Sequence, residues 1–294
     1  MSTNASAQAD GIGYTDQPVT KAPAWHGLVA WDMLFNNLTT GLFLAAALGE
    51  LTAPEIFKHM AKAAYPLAMA LLILDLSCLV LDLGDPLRFH HMLRVFKPTS
   101  PMSLGTWCLT VYSLPLTLAT VLTLLPAGWP AMEWARRVVV VLGILPALGS
   151  AVYKGVLLST SAQPGWRDAR WLGGYLASAA LMLGCAEMLA LSVFMEQSRA
   201  TSVLRPALAL VLVLNAVPLF LVIAELWPTL FRSYTRRRLE LLAALWIGGG
   251  MLVPLGLLLG SSPLPLLGAV LLLLLGSLAM RFVIVRLPHG FANR

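Results

Sequence analysis

Six ionisable residues fall inside or at the ends of long apolar runs: Asp32, Asp75, Asp82, Lys154, Glu187 and Glu225. A charge at hydrocarbon depth is costly, so each marks a site, a pathway or a buried partner. Tyr153 directly precedes Lys154, which places a phenol beside an ammonium. Asp32, Asp82, Lys154 and Glu225 belong to helix ends expected at one face of a membrane, here the A side. Tyr153 and Lys154 can donate hydrogen bonds to a polar ligand head, and Asp32 can accept a proton and pass it on. Asp75 lies two turns further in on its helix, and Glu187 lies toward the opposite, B side. Asp75, Glu187 and Glu225 are the candidate members of a proton path. For Glu225 alone, pairing or snorkelling at a helix end is the simpler reading.

The other metal- and proton-binding residue types exclude more than they offer. His26, His59, His90, His91 and His289 all lie in expected loops or at helix ends. No pair projects inward from spans as a transmembrane haem requires, so no haem is expected. With Asp82, His91 can carry protons between the site and water. Cys78, Cys108 and Cys185 stand alone in apolar runs and read as small apolar side chains, with no metal in this chain.

The elements that position these groups are helices. Of 294 residues, 58% are hydrophobic and 12% charged, and the mean hydropathy is +0.78. A soluble domain carries about 25% charged residues. A soluble enzyme, a disordered chain and a nucleic-acid-binding protein are thereby excluded. The chain reads as an all-α integral membrane protein. A span takes about 20 apolar residues, and eight transmembrane helices are predicted over 27–49, 63–83, 104–125, 137–158, 171–195, 205–226, 239–260 and 264–286. Breakers between them include Pro54, Gly84-Asp85-Pro86, Pro98 to Pro101, Pro126 to Pro130, Pro164-Gly165, Pro228 and Ser261 to Pro265. Residues 1–24 form a polar tail without the pattern of a cleaved signal. Residues 25–286 make the membrane domain, and 287–294 a short tail. Gly248 to Gly250 with Pro254 predict a bend or a close packing point inside the seventh helix. Trp25, Trp31, Trp107, Trp129, Trp134, Trp166, Trp171 and Trp227 read as an interfacial belt.

Three stretches carry a family resemblance. The first runs Asp82-Leu-Gly-Asp-Pro-Leu-Arg-Phe89, then His91-Met92, then Pro98-Thr-Ser-Pro-Met-Ser-Leu-Gly-Thr-Trp107. The second is Asp32 to Gly41, with Thr40-Gly41 as a small pair before an apolar run. The third is Tyr153-Lys-Gly-Val-Leu-Leu-Ser159. Over roughly residues 25–175 the chain resembles the NrfD/polysulfide reductase (PsrC-like) membrane subunits. The resemblance implies eight helices in two four-helix bundles, 27–158 and 171–286. It implies a haem-free anchor subunit, outside the catalytic centre, of a respiratory oxidoreductase complex in a bacterial inner membrane. Such a subunit binds a quinone, menaquinone or ubiquinone, at one membrane face. It exchanges electrons with a docked four-cluster ferredoxin-like iron–sulfur protein, and a molybdopterin catalytic subunit completes the assembly. The tyrosine and the first-helix polar residue that contact the quinone match Tyr153 and Asp32. Lys154 stands where threonine is usual. A passive anchor without its own quinone site and a transporter are the competing readings.

Charge sets an expected orientation. Fourteen Lys and Arg fall on the A side with both termini, against six on the B side, and Arg236-Arg237-Arg238 adjoins a span. Basic residues concentrate on the cytoplasmic face. Both termini and the site are therefore expected to face the cytoplasm, with a periplasm-facing site, the habit of many members of the family the chain resembles, as the alternative.

Overall fold

The computed structural model describes Trp25 and residues 27–125 and 130–289. The expected tail 1–24, His26, Trp129, residues 290–294 and, with them, Lys21 and Arg294 of the charge comparison lie outside the described residues. Among the described residues the chain is helical, without strands. Its helices are α1 (Gly27–Thr52), α2 (Pro54–Leu81), α3 (Pro101–Leu124), α4 (Pro130–Ser159), α5 (Leu172–Phe194), α6 (Ser198–Ser233), α7 (Arg236–Leu257) and α8 (Pro263–Arg286). A 3-10 segment, Pro86–Leu93, joins α2 to α3, and α7 is π-helical over Ala244–Leu252.

Seven of these helices, α2 to α8, are long and apolar enough to cross a membrane by length and composition. The expected eight is corrected to seven by that measure. The exception, α1, is 26 residues long but carries Asp32, Asn36, Asn37, Thr39, Thr40 and Glu50, all buried. Its polar groups face protein rather than lipid, so hydropathy understates how well it fits a membrane interior.

Several predicted boundaries change, chiefly at prolines. Pro54 begins α2 instead of separating helices, because the first turn needs no N–H donor there. α2 therefore starts at 54 rather than 63. Pro206 and Pro228 lie within α6, which runs 198–233 rather than 205–226. Helices in a membrane tolerate proline where neighbours satisfy the freed carbonyls. α4 starts at 130 rather than 137, and α7 runs 236–257 rather than 239–260. The early starts of α2 and α4 meet at the B side, where Lys58 Nζ lies 2.5 Å from Glu133 Oε1.

α1 packs against α2, α4, α5 and α8, and α3 packs against α2 and α4. α5 is the second hub, touching α1, α4, α6 and α8. α1 crosses α5 at Gly41 and Gly184, where a Cβ on Gly184 would stand 1.9 Å from the Gly41 carbonyl oxygen. Close backbone approach of this kind requires glycine. α4 meets α5 similarly, at Gly155 against the Gly173 backbone. In α7 the close-packing residue is Gly250, which faces Gly276 of α8, while a Cβ on Gly248 or Gly249 would meet nothing within 4 Å.

Two side chains depart from their expected surface roles. Trp166 is buried, stacks with Trp25, and donates its indole N–H to the Ile284 carbonyl at 2.7 Å. It ties the α4–α5 loop to the end of α8 rather than sitting in an interfacial belt. Arg281 and Arg136, counted as basic surface residues, are both buried. Without them and buried Lys154, the charge comparison is twelve against five, so the asymmetry stands.

Candidate functional site

The site begins with helical spacing. Asp32, Asn36 and Thr40 lie one turn apart on α1 and turn inward together. Ser150 and Lys154 do the same on α4, and Asp75 reaches in from α2 with no exposed surface. Lys154 Nζ lies 2.8 Å from Asp32 Oδ1 and 2.8 Å from Asp75 Oδ1, and it donates to the Asp32 carbonyl oxygen at 2.9 Å. Of its three N–H donors, two are hydrogen-bonded, to Asp75 Oδ1 and to the Asp32 carbonyl, while Asp32 Oδ1 is held by the ion-pair contact without a hydrogen bond. Asn36 Nδ2 donates to the other oxygen of Asp75 at 3.1 Å and to Ser150 Oγ at 3.0 Å.

Two carboxylates thus face one ammonium. With all three ionised the cluster carries one excess negative charge, which a single proton cancels. Buried ion pairs gain little stability over apolar packing of similar volume, so this cluster points to function more than to stability.

A cavity of about 90 Å³ opens beside the cluster. Its polar lining is Asp32, Asp82, Tyr153 and Lys154, and its apolar lining includes Met33, Leu79, Met92, Met102 and Leu157. Asp75 sits behind Lys154, outside the lining. The motif around Pro98 to Ser103 shapes the outer wall. Ser103 Oγ accepts the Lys97 N–H at 3.0 Å and donates to the Val95 carbonyl at 3.3 Å, while Ser100 caps α3. This fold of the loop starts α3 at Pro101 and presents Met102 to the cavity. Gly105 clears room for the Tyr153 ring, since a Cβ there would stand 2.0 Å from Tyr153 Cδ2.

The candidate residues therefore divide. Asp32, Asp82, Tyr153 and Lys154 come together, and Asp75 joins them through Lys154. His91 lies on the exposed 3-10 segment with its ring against His90, outside the cavity lining. Glu225 accepts the Trp171 N–H at 3.0 Å, anchoring the start of α5 to α6 away from the cluster. Glu187 lies deeper, and its Oε2 is buried without a hydrogen-bond partner among the described residues. No group of three or more His, Cys, Asp or Glu side chains converges as for a metal ion among the described residues.

Three buried polar groupings were not anticipated. Further along α1, Thr39 Oγ1 donates to the Ala68 carbonyl at 2.7 Å and lies 3.0 Å from the Tyr112 hydroxyl. Near the B side, Tyr65 donates to Glu50 at 2.7 Å, and Arg136 pairs with the other oxygen of Glu50. Between α1 and α8, Arg281 donates to Asn37 Oδ1 and to the Ser277 carbonyl. The repeat Asp32, Asn36, Thr40 was the available signal for a polar face on α1. Arg136 carries no sequence signal of burial, because it lies just before the span predicted over 137–158.

Long apolar helices around a buried acid–base cluster make this a multi-pass membrane protein. A family model described as polysulfide reductase (NrfD_2) matches residues 17–291, and the chain belongs to that NrfD/polysulfide reductase family. It is a membrane subunit of a redox complex and associates with other redox subunits. A comparison with curated proteins found no match.

Proposed function

We propose that the chain is the quinone-binding anchor subunit of this complex, exchanging electrons between a membrane quinone and a docked iron–sulfur protein of ferredoxin-like type. A molybdopterin subunit completes the complex in this reading. The carrying observation is the Lys154 bridge between Asp32 and Asp75, with Lys154 and Asp32 on the wall of a largely apolar cavity. All eight helices cross the membrane, as two four-helix bundles, α1–α4 and α5–α8. α1 to α4 pack on one another, and the two halves meet where α1 and α4 both pack on α5.

The residues present suit a quinone head. The cavity, about 90 Å³, takes the polar edge of a quinone head, and the rest of the ring and the isoprenoid tail lie outward along the helix surfaces. A bound quinol supplies two electrons and two protons. Tyr153 is the hydrogen-bond donor for a ring oxygen, because its side chain lines the cavity while Lys154 is held between Asp32 and Asp75. Lys154 is a positioning residue that holds Asp32 at the cavity wall. Asp32 takes and releases a proton, and its charge is balanced through Lys154. Asp82 continues the route outward to water. Asp75, Asn36 and Ser150 extend it inward, and Glu187 stands further along the same interior.

Tyr153→Phe removes only the hydroxyl, and it should lower quinol turnover by about tenfold, the scale of one buried hydrogen bond. Asp32→Asn should lower it by about 10²-fold, the lower end of general acid–base contributions. Steady-state quinol oxidation by the assembled complex measures both. Wild-type kinetics in both assembled variants would show that the cavity is not the quinone site and would favour a passive anchor.

The surviving charge asymmetry supports a cytoplasmic A side, with both termini, the cavity and the iron–sulfur partner on that face of a bacterial inner membrane. A fluorescent protein fused after Arg294 should then be bright and an alkaline phosphatase fusion inactive. The opposite pair of results places the redox partner outside the cell membrane.

A further inference from the structure

We propose, resting on the quinone reading of the cavity, that the connector between α2 and α3, residues 86–97, is the docking surface for the iron–sulfur partner. Leu87, Phe89, Val95 and Phe96 are its apolar contacts, and Arg94 and Lys97 form a basic rim. The stretch 82–97 carries five charged residues and two histidines in sixteen. Its 3-10 segment, Pro86–Leu93, buries no residue, and residues 95–97 have no regular structure. Backbone and charge of this kind do not enter hydrocarbon when nothing covers them. The connector therefore stands outside the membrane interior, at the A-side ends of α2 and α3.

Its apolar side chains nevertheless face outward. Leu87 is 85% exposed and Val95 69%, and Phe89 and Phe96 are exposed as well. Apolar side chains gathered on a surface outside the membrane mark a place that another protein covers. The rings of Phe89, His90 and His91 follow one another at centroid distances of 6.0 and 4.4 Å, and Phe96 lies edge-on to Trp107 at 6.0 Å. Aromatic side chains are enriched at the centres of protein interfaces. Charge describes the occupant. Arg88 pairs with Asp85 at 2.9 Å, whereas Arg94 and Lys97 are exposed and make no ion pair among the described residues. The face that fits is apolar at its centre with acidic residues around it. Position selects the subunit. Met92 of this segment lines the cavity, while His91 and Leu93 on either side of it are exposed. A protein seated here is separated from the cavity by one thin wall. Electron exchange falls off steeply with distance, so the subunit that exchanges electrons with the quinone is the one that takes this place.

The full chain, purified in detergent with its associated subunits, tests this. Leu87→Glu/Val95→Glu puts two carboxylates into the contact, and neither position lines the cavity. The double variant should weaken retention of the iron–sulfur subunit about 30-fold, the scale of one lost hot spot. Its melting temperature should stay that of the wild type, since neither side chain is buried. Leu264→Glu, at a similarly exposed leucine near the B-side start of α8, should leave retention unchanged. A benzophenone side chain in place of Leu87 should cross-link to the iron–sulfur subunit on irradiation. Wild-type retention in Leu87→Glu/Val95→Glu overturns the proposal, as does an adduct to lipid or to the molybdopterin subunit alone. Binding of decylubiquinone and menadione to the wild-type complex is measured separately. Retention and cross-linking judge the docking surface without turnover, and a failure to bind either quinone strikes the quinone reading alone.

Discussion

Lys154→Met should destabilise the folded chain by about 3–5 kcal/mol, the range found when one partner of a buried ion pair is removed. The variant leaves Asp32 and Asp75 facing each other without the ammonium that joins them. Asp75 has no exposed surface through which water could replace it. Adding Asp32→Asn and Asp75→Asn to Lys154→Met removes the stranded carboxylates and should restore much of the stability while leaving quinol turnover low. Thermal unfolding in detergent, followed by tryptophan fluorescence, reads the first effect, and quinol oxidation reads the second. A Lys154→Met chain as stable as the wild type would mean that the two acids do not depend on the ammonium, and the charge balance argued for this cluster would be wrong.

Replacing Gly184 with valine should prevent a stable chain from accumulating. Even the first added carbon would sit 1.9 Å from the Gly41 carbonyl oxygen, and the reverse change at Gly41 would meet the Ala180 carbonyl at 2.0 Å. Backbone cannot yield as a side chain can, so α1 and α5 must separate by more than an ångström. That exceeds the 1–3 kcal/mol typical of core overpacking. It also displaces the α1 face that carries Asp32 and Asn36. Gly248→Ala is the control, because a Cβ there meets nothing within 4 Å. Yield and melting temperature in detergent compare the two. A Gly184→Val chain with the melting temperature of the wild type would show that the α1–α5 contact is looser than described.

Which parts were legible from sequence follows from how local each signal is. Apolar runs of span length are local, so the helices were found close to their places. Their ends were less legible, because Pro54 starts a helix and Pro228 sits inside one according to where each falls relative to neighbouring helices. Tyr153, Lys154, Asp32 and Asp82 were legible as candidates because polar residues in apolar runs are conspicuous and sit near the same membrane face. His91, equally conspicuous, lies on the exposed 3-10 segment instead, since nothing local says which way a short connector turns.

Composition and periodicity alone therefore determined a helical membrane protein with an acid–base cluster near one face, and the short motifs determined its family. Only the tertiary structure decided that Lys154 is shared between two acids, that Asp75 lies behind it, and that Tyr153 shares the cavity wall with Lys154 and Asp32. It alone decided that Glu225 anchors a helix start, and that Glu50 with Arg136 and Asn37 with Arg281 are buried partners. The reason is physical. Hydrophobicity acts residue by residue and leaves its period in the sequence. The pairing of buried charges depends on distances of about 3 Å between helices far apart in the chain, and the depth and rotation of those helices are set by contacts such as Gly41 on Gly184.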